Sequence, residues 1–439
     1  MNKHILVVGG GYVGLYTVLR LQRTLRKELN DKSVRITLID PQSYMTYQPF
    51  LPEAAAGNLS PRDVAVPLRR ILKKAHILNG RVTKVNHAER TATFQPGEGP
   101  AREIPYDVIV MAAGSISRTL PIPGLTDIGI GFKEIGEAIA LRNRVLGLLD
   151  VADSTDDPEI RRSALTFVVV GAGFAGVEAL AELEDMARDS VKYYRNLTQK
   201  DLRWVLVEAT NRILPEVGPE MGKWTAEQLR ERGIEVKMET RLESCVGGHV
   251  KLSNGEEFDA QTLVWTAGVK ASPIVNATDL PVDERGRIKT TAKLTIAGTR
   301  DAFAAGDAAG VPDVTDPGQY CAPNAQHAVR QAKVLADNIV KYLRGDELVD
   351  YRHKYVGSVA GLGLHKGVAN VYGVKLRGFP AWFMHRTYHL SRVPTLNRKV
   401  RVVVDWTLAL FFKRETISLG EVEHPRDGFR AAVASDRKN

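Results

Sequence analysis

Short, unbroken apolar runs that stop at a glycine recur along this chain. Ile5-Leu-Val-Val8 stops at Gly9, and Phe167-Val-Val-Val170 stops at Gly171. An apolar run this short, with no polar alternation, predicts a strand covered on both faces, as in a parallel sheet. Each run leads into a helix-forming stretch, the first from about Gly11 to Leu29 and the second through about Met186. A second strand follows in both places: Val34 to Ile39 closing on Asp40, and Trp204 to Val207 closing on Glu208. Tyr106 to Gly114, Leu263 to Gly268 and Asp301 to Asp307 read as further strands, and a long helix is expected from about Pro323 to Tyr342. The polar segment Asp150 to Arg162 reads as a loop or exposed connection. From near Arg344 the composition changes to aromatics and arginine. The pattern predicts an α/β protein with one strand–helix–strand unit present twice, an internal repeat of a binding unit and not a solenoid.

The turns inside the repeats carry chemistry. Gly9-Gly-Gly11-Tyr-Val-Gly14 and Gly171-Ala-Gly173-Phe-Ala-Gly176 both fit G-x-G-x-x-G between strand and helix. The first glycine makes the tight turn, the second lets backbone approach a pyrophosphate, and the third lets helix and strand pack closely. Unpaired N–H groups and the positive dipole end of the helix then face the phosphates. An acid ending the second strand, Asp40 or Glu208, suits the ribose hydroxyls of an adenine dinucleotide. Either motif alone could be a plain tight turn, and either acid a solvated strand end. Two copies in one chain point to two dinucleotides, and a protein holding two most simply passes electrons between them.

A length of 439 residues predicts two or three domains. The net charge of +9 calls for a partner such as nucleic acid, anionic lipid or an acidic ligand. Cys245 and Cys321 are the two cysteines, in no C-x-x-C spacing, which excludes a disulfide scaffold and gives no support to a dithiol centre or a zinc site. The first strand begins at about Ile5, too early for a cleavable signal. No run approaches the roughly 18 apolar residues of a membrane span. The expectation is a cytoplasmic start and no crossing of a bilayer.

The two glycine loops with Asp40 and Glu208, the strand ends Ala-Ala-Gly114 and Thr-Ala-Gly268, and Gly306-Asp307 together resemble the two-dinucleotide-binding flavoproteins over about residues 1 to 345. The resemblance implies non-covalent FAD on the outer motif (Gly9, Gly11, Gly14, Asp40, Gly114), with Asp307 on the ribityl chain. It implies NADH on the inner one (Gly171, Gly173, Gly176, Glu208, Gly268). Without the family, Asp307 could merely cap a helix. Gly171-Ala-Gly-Phe-Ala-Gly-Val-Glu178-Ala-Leu-Ala-Glu182-Leu is similar to one branch, the type II NADH dehydrogenases, or single-subunit NADH:quinone oxidoreductases. There Glu178 would lie between nicotinamide and flavin and relay protons; its bland role is an exposed first-turn acid. Glu208 would favour NADH over NADPH, with Arg212 leaving some NADPH use open. Tyr47-Gln-Pro-Phe-Leu-Pro-Glu53 resembles an early flavin-domain segment, and it lacks the redox cysteines of a disulfide reductase. Ala325-Gln326-His327-Ala328-Val329-Arg330-Gln331 resembles the quinone motif A-Q-x-A-x-Q. Gln326 is in register there, but Arg330 replaces the second glutamine and Gln331 falls one step, about 100°, around the helix. His327 has no metal-ligand partners at useful spacing.

In the tail, Arg377, Arg386, Arg392, Arg398, Lys399, Arg401, Lys413 and Arg414 stand against the single acid Asp405. The apolar run from Val402 covers about 11 residues, which suits a helix lying in the headgroup plane better than a span. Each basic residue near an anionic surface adds roughly 1 kcal/mol before screening. The same aromatics equally suit a core or a homodimer interface; nucleic acid fits less well, since they are not interleaved on a basic sheet. The tail also resembles the membrane-anchoring region of the type II enzymes, including Asp405-Trp406. A departure lies at Tyr355-Val-Gly357-Ser, where Val356 stands at a position that is often Lys in that family.

The expected architecture is α/β with two Rossmann-like domains. Residues 1–118 and 286–345 would form the FAD domain, 119–285 an inserted NADH domain, and 346–439 a membrane-surface region. The expected activity is peripheral, FAD-dependent, non-proton-pumping NADH:quinone oxidoreduction at the cytoplasmic face of the membrane, with Glu178 and Gln326 catalytic and no metal. The alternatives are a soluble NAD(P)H-dependent flavin reductase or oxidase and a flavin-bearing redox sensor. Sulfide:quinone oxidoreduction would need paired reactive cysteines near the flavin.

Overall fold

The computed structural model describes residues 2–353, 356–412 and 414–418. The described residues divide into two compact units: 2–46, 65–118 and 269–353 form one, and 47–64, 119–268, 356–412 and 414–418 form the other.

Among the described residues, the first unit is built on a seven-stranded sheet. Its strand order is Ala302–Ala304, Val108–Met111, Lys3–Val8, Val34–Asp40, His76–Asn86, Thr91–Pro96, Arg102–Pro105. The first five run parallel, and the last two add an antiparallel meander. The apolar run of Ile5 to Val8 lies at the centre and is buried throughout, as double-sided coverage requires. The first helix, Tyr12–Thr24, is shorter than its pattern predicts. Leu25 leaves helical geometry (φ −98°, ψ 32°) before a separate turn of helix, Arg26–Asn30. The Ala325–Arg344 helix packs on the Tyr12–Thr24 helix, with Thr17 Oγ1 donating to Ala332 O.

The second unit repeats the plan with an all-parallel five-stranded sheet: Gly129–Gly131, Thr262–Trp265, Thr166–Val170, Arg203–Val207, Glu235–Lys237. Phe167 and Trp204 stack across neighbouring strands at 4.4 Å between ring centroids. The expected loop at Asp150 to Arg162 is mostly helical: the Ile135–Ser154 helix runs into it, and Pro158–Ala164 forms another. Polarity misled here because both helices expose one face, while Asp157 caps the second through the Glu159 and Ile160 N–H groups and Pro158 opens it. The same unit holds the antiparallel sheet Gly357–Gly361, Gly367–Val371, Val374–Arg377 and the tail helices Phe379–Arg392 and Leu396–Phe411.

Candidate functional site: two glycine cradles and a buried acid–histidine pair

In the first cradle Gly9 has φ +105°, and a Cβ there would sit 2.3 Å from Ala112 O. A Cβ on Gly14 would fall 1.8 Å from Gly9 O, so only glycine lets the helix approach the strand. Gly11 is different: it is the N-cap, no side chain caps the helix, and a Cβ would meet nothing within 4 Å. Its bareness leaves the helix start open to an anion. Asp40 accepts the Gly10 N–H at 2.6 Å on one oxygen and the Gln42 N–H at 2.7 Å on the other. Gly114, at φ +64°, accepts the Ser272 N–H, and Ser115 Oγ donates to Asp307 Oδ2 at 2.6 Å.

The second cradle repeats these relations. Gly171 has φ +107°, and a Cβ on Gly176 would lie 2.0 Å from Gly171 O. Gly173 is an uncapped N-cap with open space. Glu208 accepts the Ala172 N–H with one oxygen and the Thr210 N–H with the other, both at 2.8 Å. Thr266, the threonine of the Thr-Ala-Gly268 strand end, closes the cradle by donating Oγ1 to Val170 O and lying 3.1 Å from Gly171 O. Gly268 follows at φ +98°. Both cradles therefore present bare helix N-termini beside a carboxylate held by two backbone N–H groups, a donor and acceptor set that fits a dinucleotide pyrophosphate and its ribose.

Glu178 is not an exposed first-turn acid. It lies in the second turn of the Phe174–Ser190 helix, 8% exposed, and accepts the Gly361 N–H at 2.8 Å. Nε2 of His385, also buried, stands 3.0 Å from Glu178 Oε1, an ion-pair contact and not an aligned hydrogen bond. Gly361 is kept there because Arg232 donates to Leu362 O and Asp185 accepts the Leu364 N–H. One turn on from Glu178, Glu182 is buried, and its carboxyl is pushed up to about 7 by burial, then by Glu53 and Asp185. Glu53 in turn accepts from Arg386 and from Trp406 Nε1.

In the first unit, Gln326 Oε1 lies 3.0 Å from His353 Nε2, and Arg330 donates to the Gln326 backbone carbonyl. Burial, then the Arg330 and His327 charges, lowers the His353 pKa to about 4, so this imidazole is neutral and the contact is an Nε2–H donated to the amide. Gln331 is turned inward, where its Oε1 accepts the Gly306 N–H at 2.8 Å. Cys245 and Cys321 are both buried, and the Cys321 thiol is pushed up to about 11 by burial first and Asp313 second, which suppresses its thiolate. Among the described residues no group of three or more His, Cys, Asp or Glu could hold a metal ion.

The family model described as pyridine nucleotide-disulphide oxidoreductase matches residues 3–332. A type II NADH:quinone oxidoreductase of Staphylococcus haemolyticus is 32% identical over 88% of this chain and 94% of its own length. One from Mycobacterium tuberculosis is 29% identical over 94% of this chain and 89% of its own. The chain belongs to the type II NADH:quinone oxidoreductases. Among solved structures, NDH2 of Plasmodium falciparum in complex with NADH superposes with a TM-score of 0.87 at 18% identity, covering 95% of this chain and all of that one. That likeness shows the shared fold with its two dinucleotide-binding domains.

Of the motifs that pointed to this family, the glycine cradles, Asp40, Asp307 and Glu208 carry the geometry just described. Glu53 and Glu182 stood inside the quoted motifs but were given no role of their own, and His385 and His353 were missed. His385 could have been found one turn before His389 in the tail. Tyr355 and Lys413, singled out in the sequence, lie outside the described residues.

Proposed function

We propose that this protein is an FAD-dependent NADH:quinone oxidoreductase working at an anionic membrane surface. The observation that carries the reading is the pair of bare glycine cradles, each with its strand-end carboxylate, in a chain of this family. FAD bound there would supply the redox chemistry, accepting one hydride, that is two electrons with one proton, from NADH and passing the two electrons to quinone. Gly9, Gly11 and Gly14 seat the FAD pyrophosphate, Asp40 meets its ribose, Gly114 lets backbone pass close, and Asp307, held by Ser115, binds the ribityl hydroxyls. Gly171, Gly173, Gly176 and Gly268 do the same for NADH. Glu208 accepts from the ribose diol and repels a 2′-phosphate. Gln326, its carbonyl side fixed by His353, presents its amide N–H groups to the quinone head. Glu178 holds or passes a proton.

The membrane reading rests on the Leu396–Phe411 helix. Its inward side holds Val402, with Arg398 on Asp63 and Trp406 on Glu53. Leu396, Val400, Val403, Val404, Leu408 and Phe411 occupy the opposite side and are exposed, Phe411 at 78%. This helix is apolar toward solvent, the reverse of an ordinary surface helix. Among the described residues no helix is long and apolar enough to cross a membrane. The electrostatic part is smaller than the arginine-rich sequence suggests, because Arg386 and Arg398 turn inward to Glu53 and Asp63, and Arg377 pairs with Glu220. A homodimer using the same apolar face is the second reading. Vesicle co-sedimentation separates the two: binding to anionic vesicles supports the membrane, and a dimer that ignores vesicles supports the other. Turnover of NADH with a short-chain quinone well above the rate with oxygen tests the activity against an oxidase.

A further inference from the structure

The Glu178 carboxylate is buried against a second titratable group, a tail histidine to which the sequence motifs assign no role. His385, from the Phe379–Arg392 helix, reaches Glu178 Oε1 at 3.0 Å, and both side chains are nearly closed to solvent. The Gly361 N–H donates to the same carboxylate oxygen. His389, one turn along, packs its ring 4.6 Å from that of His385. Around them stand Glu182 and Asp185 from the Phe174–Ser190 helix, Glu53 from the Leu51–Ala55 helix, Arg386 beside His385, and Arg414. A lone carboxylate in such a site would be costly to ionise; a facing imidazolium offsets that cost.

We propose that His385 is the positioning residue of Glu178, and that the pair stores the one proton that quinone reduction needs beyond the hydride. The overall step is NADH + H⁺ + quinone → NAD⁺ + quinol. The C–H bond of NADH breaks, two electrons and the hydride nucleus go to the quinone side, and the second O–H proton leaves the pair, which solvent recharges. The inference rests on the role given to Glu178 above. Burial alone would push the His385 pKa down; the Glu178 carboxylate, with Glu53 behind it, more than offsets this, so the imidazole is held above its ordinary range, with Arg386 opposing. His389 moves the opposite way, lowered by burial and by the charge on His385, and is neutral. The charge is thus confined to one histidine of the two.

His385→Gln keeps a polar side chain but cannot carry the proton; Glu178→Gln removes the other half. The first readout is independent of turnover: thermal unfolding from pH 5.5 to 9. A raised histidine stabilises the fold fully below about 6.5, its unfolded value, and loses that contribution as pH rises through the folded one. Both variants should flatten the decline of Tm with rising pH to the same extent, and the double variant should add nothing. The second readout is single-turnover mixing. Flavin reduction by NADH should stay within about twofold, while reoxidation by quinone slows by about 10²-fold and loses its alkaline limb in His385→Gln. A lower Tm with unchanged pH dependence of both quantities would leave His385 merely structural and overturn the proposal. A wild-type protein with the Tm signature but no quinone reduction would overturn the proton role together with the proposed function, leaving only the ion pair.

Discussion

Glu208 accepts the Ala172 N–H at 2.8 Å and so ties the strand end to the glycine turn proposed to cradle the pyrophosphate. With its other oxygen on Thr210, the carboxylate is pre-oriented before any ribose arrives. Glu208→Ala removes both the proposed ribose acceptor and that brace. A charged hydrogen bond contributes about 1.5–3 kcal/mol, so KM for NADH should rise by roughly 10- to 100-fold, with kcat within about threefold. Steady-state kinetics with NADH and NADPH check this, and an unchanged NADH KM would return Glu208 to a strand-end role.

The two cradles should fail separately. A Cβ on Gly14 or Gly176 lands within 2.0 Å of a backbone oxygen, and the helix cannot stay where it is. Gly14→Ala should give protein without flavin, read as lost flavin absorbance by comparison with wild type. Gly176→Ala should keep its flavin and lose reduction by NADH.

Leu410 and Phe411 are 75% and 78% exposed, so replacing both by Glu tests the membrane face with little effect on folding. Binding to anionic vesicles should fall at least about tenfold, while NADH-driven flavin reduction is kept. Retained vesicle binding would place the contact elsewhere.

Glu182 makes stability depend on pH in a defined direction. Its carboxyl is raised from 4.5 to about 7, so the folded chain binds more protons than the unfolded one between those values. That contribution is complete below about 4.5 and is lost as pH rises through about 7. Glu182→Gln should therefore raise Tm at pH 8 relative to wild type and leave it nearly unchanged at pH 5. Equal shifts at both pH values would show that Glu182 is not protonated in the fold.

The repeats were legible because each is local: strand, glycine turn, helix and acid follow one another within some forty residues, and the steric demand on each glycine is written in its own turn. The helices at Asp150 to Arg162 were hidden by a polar surface face, and the break at Leu25 by an unbroken helical pattern. Long-range pairings were not legible. Gln331 looked like a slipped quinone contact, yet it serves Gly306, 25 positions away in sequence. Arg386 and Arg398 looked like lipid-facing charges, yet they meet Glu53 and Asp63 more than 330 positions away. His385 reaches Glu178 across 207 positions, which no spacing rule encodes.

The central claim is electron transfer from NADH through bound flavin to quinone, and anaerobic stopped-flow spectroscopy of the purified protein tests it most directly. The account predicts an oxidised-flavin spectrum that bleaches on mixing with NADH and returns on mixing with a short-chain quinone. A flavin that NADH does not bleach, or one that quinone restores no faster than buffer does, would contradict it.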